Sequence, residues 1–221
     1  MSKTVSKFAF TVGIMLAMAF TFSCDSGGGG GDGTGGGSSS SGGGNSSSGG
    51  GGGGYTGCSG GGSGSTCINF KTTKIGEQTW MAENLNCDVA GVSKCYADDP
   101  ACCAKYGRLY DWSTALTACP SGWHLPSDAE WGALVTAVGG SSTAGTKLKA
   151  TSGWAVNGNG TDDYGFSALP EAGTDAVGRW WNATEYDSNN ALGRAMNFYY
   201  SYVTGINYPK SDLFSVRCVQ D

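Results

Sequence analysis

Apolar positions along this chain fall into three regimes. Phe8 to Phe22 is an apolar run preceded by Lys3 and Lys7, too short and too closely followed by polar residues to span a bilayer permanently. That is the layout of a cleaved secretory signal. Residues 25–66 hold 23 Gly and 11 Ser in 42 positions, so this stretch has almost nothing to bury and cannot fold alone. From Cys67 onward the apolar positions become periodic, and elements can be read from them.

Lys71 to Ile75 and Gln78 to Leu85 read as two strands of a hairpin around Gly76-Glu77. Asp111 is placed to cap a short helix through Ala118, in which Trp112, Ala115 and Leu116 repeat at helical spacing. Ser127-Asp128-Ala129-Glu130 is a capping box. Trp131, Leu134, Val135 and Val138 then form one helical face, and Gly139-Gly140 supplies the stop. Beyond Gly165 the pattern turns to strands at Phe166 to Leu169, Trp180 to Ala183, Ala195 to Val203 and Leu213 to Val219. The predicted class is α+β, with short helices early and antiparallel strands late.

Composition assigns three regions: a signal peptide over 1–23, a lipidated Cys24 with a tether over 24–66, and one domain over 67–221. Ser23 before Cys24 matches the small residue that lipoprotein processing requires, although Thr21 stands where Leu is usual. The alternative is ordinary cleavage after Ala17-Met18-Ala19 and a secreted protein. Cysteine parity favours the anchor: of 9 Cys, one would stay unpaired in an oxidising compartment unless Cys24 carries lipid. A tether of this composition has a root-mean-square span of about 35 Å. Cys58 and Cys67 bracket its end and can close a small local loop. The expected location is the bacterial cell envelope, as an outer-membrane lipoprotein facing the periplasm or the surface, with the membrane engaged through the lipid. Net charge is −5 and no basic patch is present, which sets nucleic acid aside.

Five motifs then stand out: Thr79-Trp80-Met81-Ala82-Glu83-Asn84-Leu85-Asn86, Tyr106-Gly107-Arg108-Leu109-Tyr110, Cys119-Pro120-Ser121-Gly122-Trp123-His124-Leu125-Pro126 with Glu130-Trp131, Asp162-Asp163-Tyr164-Gly165-Phe166, and Ser215-Val216-Arg217-Cys218. In this order they resemble the Fibrobacter succinogenes major paralogous domain (FISUMP) family, from about Lys71 to Asp221. Leu125-Pro126 followed by Glu130-Trp131, with the terminal Val216-Arg217-Cys218, is more distantly similar to the formylglycine-generating-enzyme and C-type-lectin-like superfamily. The resemblance implies a disulfide-bonded, C-type-lectin-like α+β fold. It implies no activity, since the FISUMP family is defined by sequence. It further implies bridges Cys95–Cys103 and Cys119–Cys218, which leaves Cys87 with Cys102.

Chemistry is sparse. Formylglycine-generating enzymes hold copper on a cysteine pair before the last strand, and Ala195 to Ser215 contains no cysteine. His124 is the single histidine, and a packed structural role is expected for it. Glu77, Glu83, Glu171 and Glu185 supply carboxylates for a hydrolase, but no spacing singles out a pair. Asn157, Asn159, Asp162 and Asp163 alternate oxygen-bearing side chains with glycine, as calcium favours; a tight turn explains the same residues. Alternation along Ala195 to Val203 places Met196, Phe198, Tyr200 and Tyr202 on one face. Trp180 and Trp181 would point to opposite sides, so that one of them need not be buried. Trp180, Trp181, Tyr200 and Tyr202 are therefore the candidate ligand-binding residues. The expected function is a membrane-anchored, non-catalytic binding or adhesion module for polysaccharide. The alternatives are a display domain of the envelope that binds protein partners, and an unrecognised hydrolase.

Overall fold

The computed structural model describes residues 70–89 and 91–221. The signal segment, Cys24, the tether, Cys58 and Cys67 lie outside the described residues. Within them, no helix is long and apolar enough to cross a membrane.

The predicted hairpin opens the structure. Strand β1 (Thr72–Ile75) pairs antiparallel with β2 (Gln78–Met81), with Thr73 opposite Trp80. Gly76 makes the turn at φ +60°, a conformation that costs glycine little. Past Met81 the chain leaves the ladder earlier than expected, yet it stays bonded to the end of the chain. The Met81 N–H donates to the Cys218 carbonyl at 3.0 Å and the Leu85 N–H to that of Val216 at 2.8 Å.

Helix α1 (Pro100–Tyr106) has no apolar stripe to announce it. Asp99 caps it by accepting from the Ala101 N–H at 2.9 Å, and Pro100 is preset for the first turn. Strand β3 (Leu109–Tyr110) precedes α2 (Trp112–Ala118), where Asp111 is the cap and accepts from the Thr114 N–H at 2.7 Å. Strand β4 (Trp123–His124) leads into α3 (Asp128–Ala137). Its capping box is complete: the Glu130 N–H donates to the Ser127 hydroxyl at 3.3 Å, and the Ser127 N–H to the Glu130 carboxylate at 2.7 Å. Gly139 and Gly140, both at positive φ, turn the chain directly into a further helix, α4 (Ser141–Leu148).

The remaining strands are β5 (Val177–Glu185), β6 (Asn190–Asn197), β7 (Thr204–Pro209), β8 (Phe214–Ser215) and β9 (Val219–Gln220). They complete two sheets, ordered β1-β2-β9-β4 and β3-β8-β5-β6-β7. Pairing is antiparallel except between β5 and β8, where Trp180 lies opposite Ser215. The class is α+β, as the patterning predicts.

Three predicted strands differ. Phe166 to Leu169 is not a strand; Ala168 makes one isolated parallel bridge to Lys149, and the apolar character reflects burial of Phe166 and Ala168 in the core. Leu213 to Val219 divides into β8 and β9, which belong to different sheets, with residues 216–218 crossing between them. Ala195 to Val203 ends as a strand at Asn197. The buried Lys149 ammonium there donates to the carbonyls of Asn197 and Tyr200, both at 3.0 Å, drawing the chain into a turn.

Two apolar clusters lie on opposite sides of β5. Successive residues of a strand face opposite ways, so Trp180 enters one cluster with Trp80, Trp131 and Phe166, while Trp181 enters the other with Tyr110 and Phe214. Both tryptophans are 0 % exposed. The expectation that one of the two is free is corrected: each face of this strand has its own core.

Candidate functional site

The six residues between β6 and β7 form a short loop that carries three of the four exposed aromatic side chains among the described residues, the other being Tyr186. Tyr199, Tyr200 and Tyr202 are 76, 45 and 37 % exposed. The rings of Tyr200 and Tyr202 stack at 4.7 Å and 20°, and Tyr199 stands edge-on to Tyr200 at 5.5 Å. The backbone beneath is tightly held. Besides Lys149, the Ser201 hydroxyl donates to the Ser142 carbonyl at 2.8 Å, and the Thr146 N–H to that of Ser201 at 3.2 Å. Gly145 makes this approach feasible, since a Cβ there would stand 2.7 Å from the Tyr202 carbonyl oxygen. Helix α4 therefore serves as the bed of the loop.

Of the four ligand-binding candidates, Tyr200 and Tyr202 are exposed and adjacent, while Trp180 and Trp181 are core residues. Tyr199 was missed because strand alternation places it on the opposite face. The run Phe198-Tyr199-Tyr200 is itself a signal, since three consecutive aromatics cannot all enter one core.

A second convergence lies across the molecule. Arg217, in the crossing between the sheets, is buried; its Nη2 donates to the Asn84 carboxamide oxygen at 2.8 Å, and its Nη1 donates to the Phe166 carbonyl. The Asn84 oxygen also accepts from the Trp180 indole at 2.8 Å. The Asn84 amide nitrogen donates to the Tyr106 carbonyl at 2.8 Å and to the Ser215 hydroxyl at 3.3 Å. Gly107 packs against this asparagine; a Cβ there would meet the Asn84 Cβ at 2.7 Å, at φ +78°. Four of the five sequence motifs thus meet around one carboxamide, beside a cavity of about 540 Å³ lined by Asn84, Gly107, Gly165 and Arg217 among others.

The same motifs carry a match to the family model described as Fibrobacter succinogenes major domain, over residues 73–220. The chain belongs to this family. No curated protein and no solved structure matched it.

In this Fibrobacter succinogenes major domain the remaining motif, Cys119 to Pro126 with Glu130-Trp131, holds a different cluster. His124 on β4 is clamped between two carboxylates, with Nδ1 2.6 Å from Asp221 and Nε2 2.7 Å from Glu130. Burial pulls the imidazole down, but the hydrogen bonds to Asp221 and Glu130 outweigh it, and its pKa is raised. Glu130 is pushed up by burial and brought down further by the Ser127 N–H and by His124, so its pKa is lowered. His124 thereby ties β4 to α3 and to the residue after β9. Both imidazole nitrogens face carboxylates, so the cluster forms an ionic clasp when His124 is protonated.

Two disulfides join described residues, Cys95–Cys103 and Cys119–Cys218, the pairs the family resemblance implies. Cys87 and Cys102 are disulfide-bonded as well. In the candidate calcium loop, the Asn159 oxygen accepts from the Trp154 N–H at 3.0 Å, and Asp162 accepts from the Ser167 N–H and hydroxyl, both at 2.6 Å. Asn157 and Asp162 have positive φ, the geometry of a side-chain-supported turn. Among the described residues no three His, Cys, Asp or Glu side chains form a group able to hold a metal.

The four candidate glutamates are engaged separately. Glu77 is exposed beside Lys74, Glu83 accepts from the Lys71 N–H, Glu171 pairs with Arg179, and Glu185 with Lys210.

Proposed function

We propose that this domain is a non-catalytic binding or adhesion module for polysaccharide, held outside the cytoplasm by a lipid on Cys24. The observation that carries the reading is the tyrosine loop: three exposed phenol rings on backbone that is already ordered. The apolar C–H face of a pyranose ring packs on an aromatic face, and a phenol hydroxyl at its rim can exchange hydrogen bonds with sugar hydroxyls. Tyrosine offers this area at small entropic cost, and the Lys149 and Ser201 bonds remove the cost of ordering the loop on binding. The Gly/Ser tether lets such a module reorient above a surface.

Pull-down of the full chain on insoluble cellulose and xylan tests the reading. Capture is expected, with at least a tenfold loss when Tyr199, Tyr200 and Tyr202 are changed together to Ala and the melting temperature is unchanged. Equal capture by this triple variant, or none by the parent across both polysaccharides, would overturn it and favour a display domain whose aromatic loop meets a protein.

A further inference from the structure

The cavity beside Asn84 gathers several cations on one wall. Arg108, Arg179 and Arg194 each have a carboxylate partner, at 3.2, 2.8 and 2.7 Å. Arg217, more buried than any of them, has none among the described residues, and its Nε–H is buried without an acceptor. Burial draws its pKa down to about 9, as expected for a cation stripped of water. Lys71 and Lys105 stand on the same cavity wall. Neither ammonium has a carboxylate partner among the described residues; Lys105 lies only over the Tyr106 ring, at 5.0 Å. Three unpaired cations thus surround one cavity in a chain whose net charge is −5.

Charge balance indicates the valence of the missing partner. The lining carries one carboxylate, Glu83, against the three cations, and Asp162, outside the lining, also acts on Arg217 electrostatically; with both carboxylates counted, a surplus of one positive charge remains. A monoanion restores neutrality; a phosphate dianion overshoots. The Asn86 carboxamide also lines the cavity and makes no hydrogen bond among the described residues, so it is free to meet a hydroxyl. The volume falls within the range of about 300–1,000 Å³ typical of small-molecule sites.

We propose that this cavity binds a small hydroxylated monoanion of the sugar-acid class, its carboxylate set toward Arg217, Lys71 and Lys105 and its hydroxyls toward Asn86. The site is separate from the tyrosine loop and goes beyond the polysaccharide reading. An anion that reaches the buried Arg217 while Lys71 and Lys105 close on it from the solvent side gains charge-assisted hydrogen bonds that are stronger where water is excluded.

Calorimetric titration of the full chain with galacturonate, galactose and galactose 1-phosphate tests it. Galacturonate is expected to bind at least tenfold more tightly than either of the others. The double variant Lys71→Gln/Lys105→Gln should lose at least tenfold in galacturonate affinity with its melting temperature retained, since both side chains are solvent-facing. Galactose binding as well as galacturonate, tighter binding of the phosphate, an unaffected double variant, or no saturable galacturonate binding would each overturn the proposal. The Tyr199, Tyr200 and Tyr202 triple variant should bind galacturonate normally, so loss of polysaccharide capture and loss of this site are read independently.

Discussion

Arg217 donates to the carboxamide oxygen of Asn84 at 2.8 Å, across 133 residues of sequence. One neutral side chain thereby serves a buried guanidinium and a buried indole together. Removing it leaves both donors unsatisfied, and a buried charged donor is the costlier of the two. Asn84→Ala should cost about 2–4 kcal/mol in urea unfolding. In a double-mutant cycle with Arg217→Met, a coupling of about 1–3 kcal/mol is expected, because the guanidinium's share of the penalty vanishes once the cation is gone while the Trp180 indole's share remains. Strict additivity would show that the two residues stabilise the fold independently.

Cys119–Cys218 closes a separation of 99 residues, joining the end of α2 to the segment entering β9. In the chain-entropy account a loop of this size contributes about 4–5 kcal/mol, reduced by any native strain. Cys119→Ala/Cys218→Ala should therefore lower stability by about 2–5 kcal/mol. Replacing Cys95 and Cys103, only 8 residues apart, should cost less. Comparable losses for the two bridges in denaturant titrations would contradict the loop-length argument.

The His124 clasp makes stability depend on pH, with a determined sign. A histidine raised above its ordinary 6.5 contributes fully below that value, and the contribution is lost as pH rises through the folded pKa. Glu130, lowered from 4.5, contributes above that value and is lost in acid. The clasp is thus fully formed between 4.5 and 6.5. Melting temperature should fall as pH rises above 6.5 and through the raised pKa of His124, and His124→Gln should flatten that fall. Both groups are partly exposed, so screening keeps the effect small. Parallel curves for the two proteins would remove the clasp from the account.

Much of the local structure was legible because its causes are local. The Gly76 turn, the Asp111 cap and the Ser127–Glu130 capping box each involve residues a few positions apart, and each is observed. Helices α1 and α4 were not legible, since neither carries an apolar stripe of its own; α4 offers Ala144, Gly145 and Leu148 to the core and to the tyrosine loop. The site was half legible. Tyr200 and Tyr202 follow from aromatic patterning, but their exposure depends on Lys149 ending β6 at Asn197, an interaction across about fifty residues that no strand periodicity contains.

Alone, the residue order determined the family, the α+β class, the caps and the aromatic content, because motif spacing and short-range hydrogen bonds are properties of neighbouring positions. Tertiary structure decided which aromatics face solvent and which charges go unpaired. Trp180 and Trp181 are both enclosed only because a core forms on each side of β5. Among the described residues Arg217 has no carboxylate partner, because the crossing between the sheets sets it against Asn84 and Phe166. Burial and charge compensation are sums over neighbours in space, and distant parts of the chain supply those neighbours.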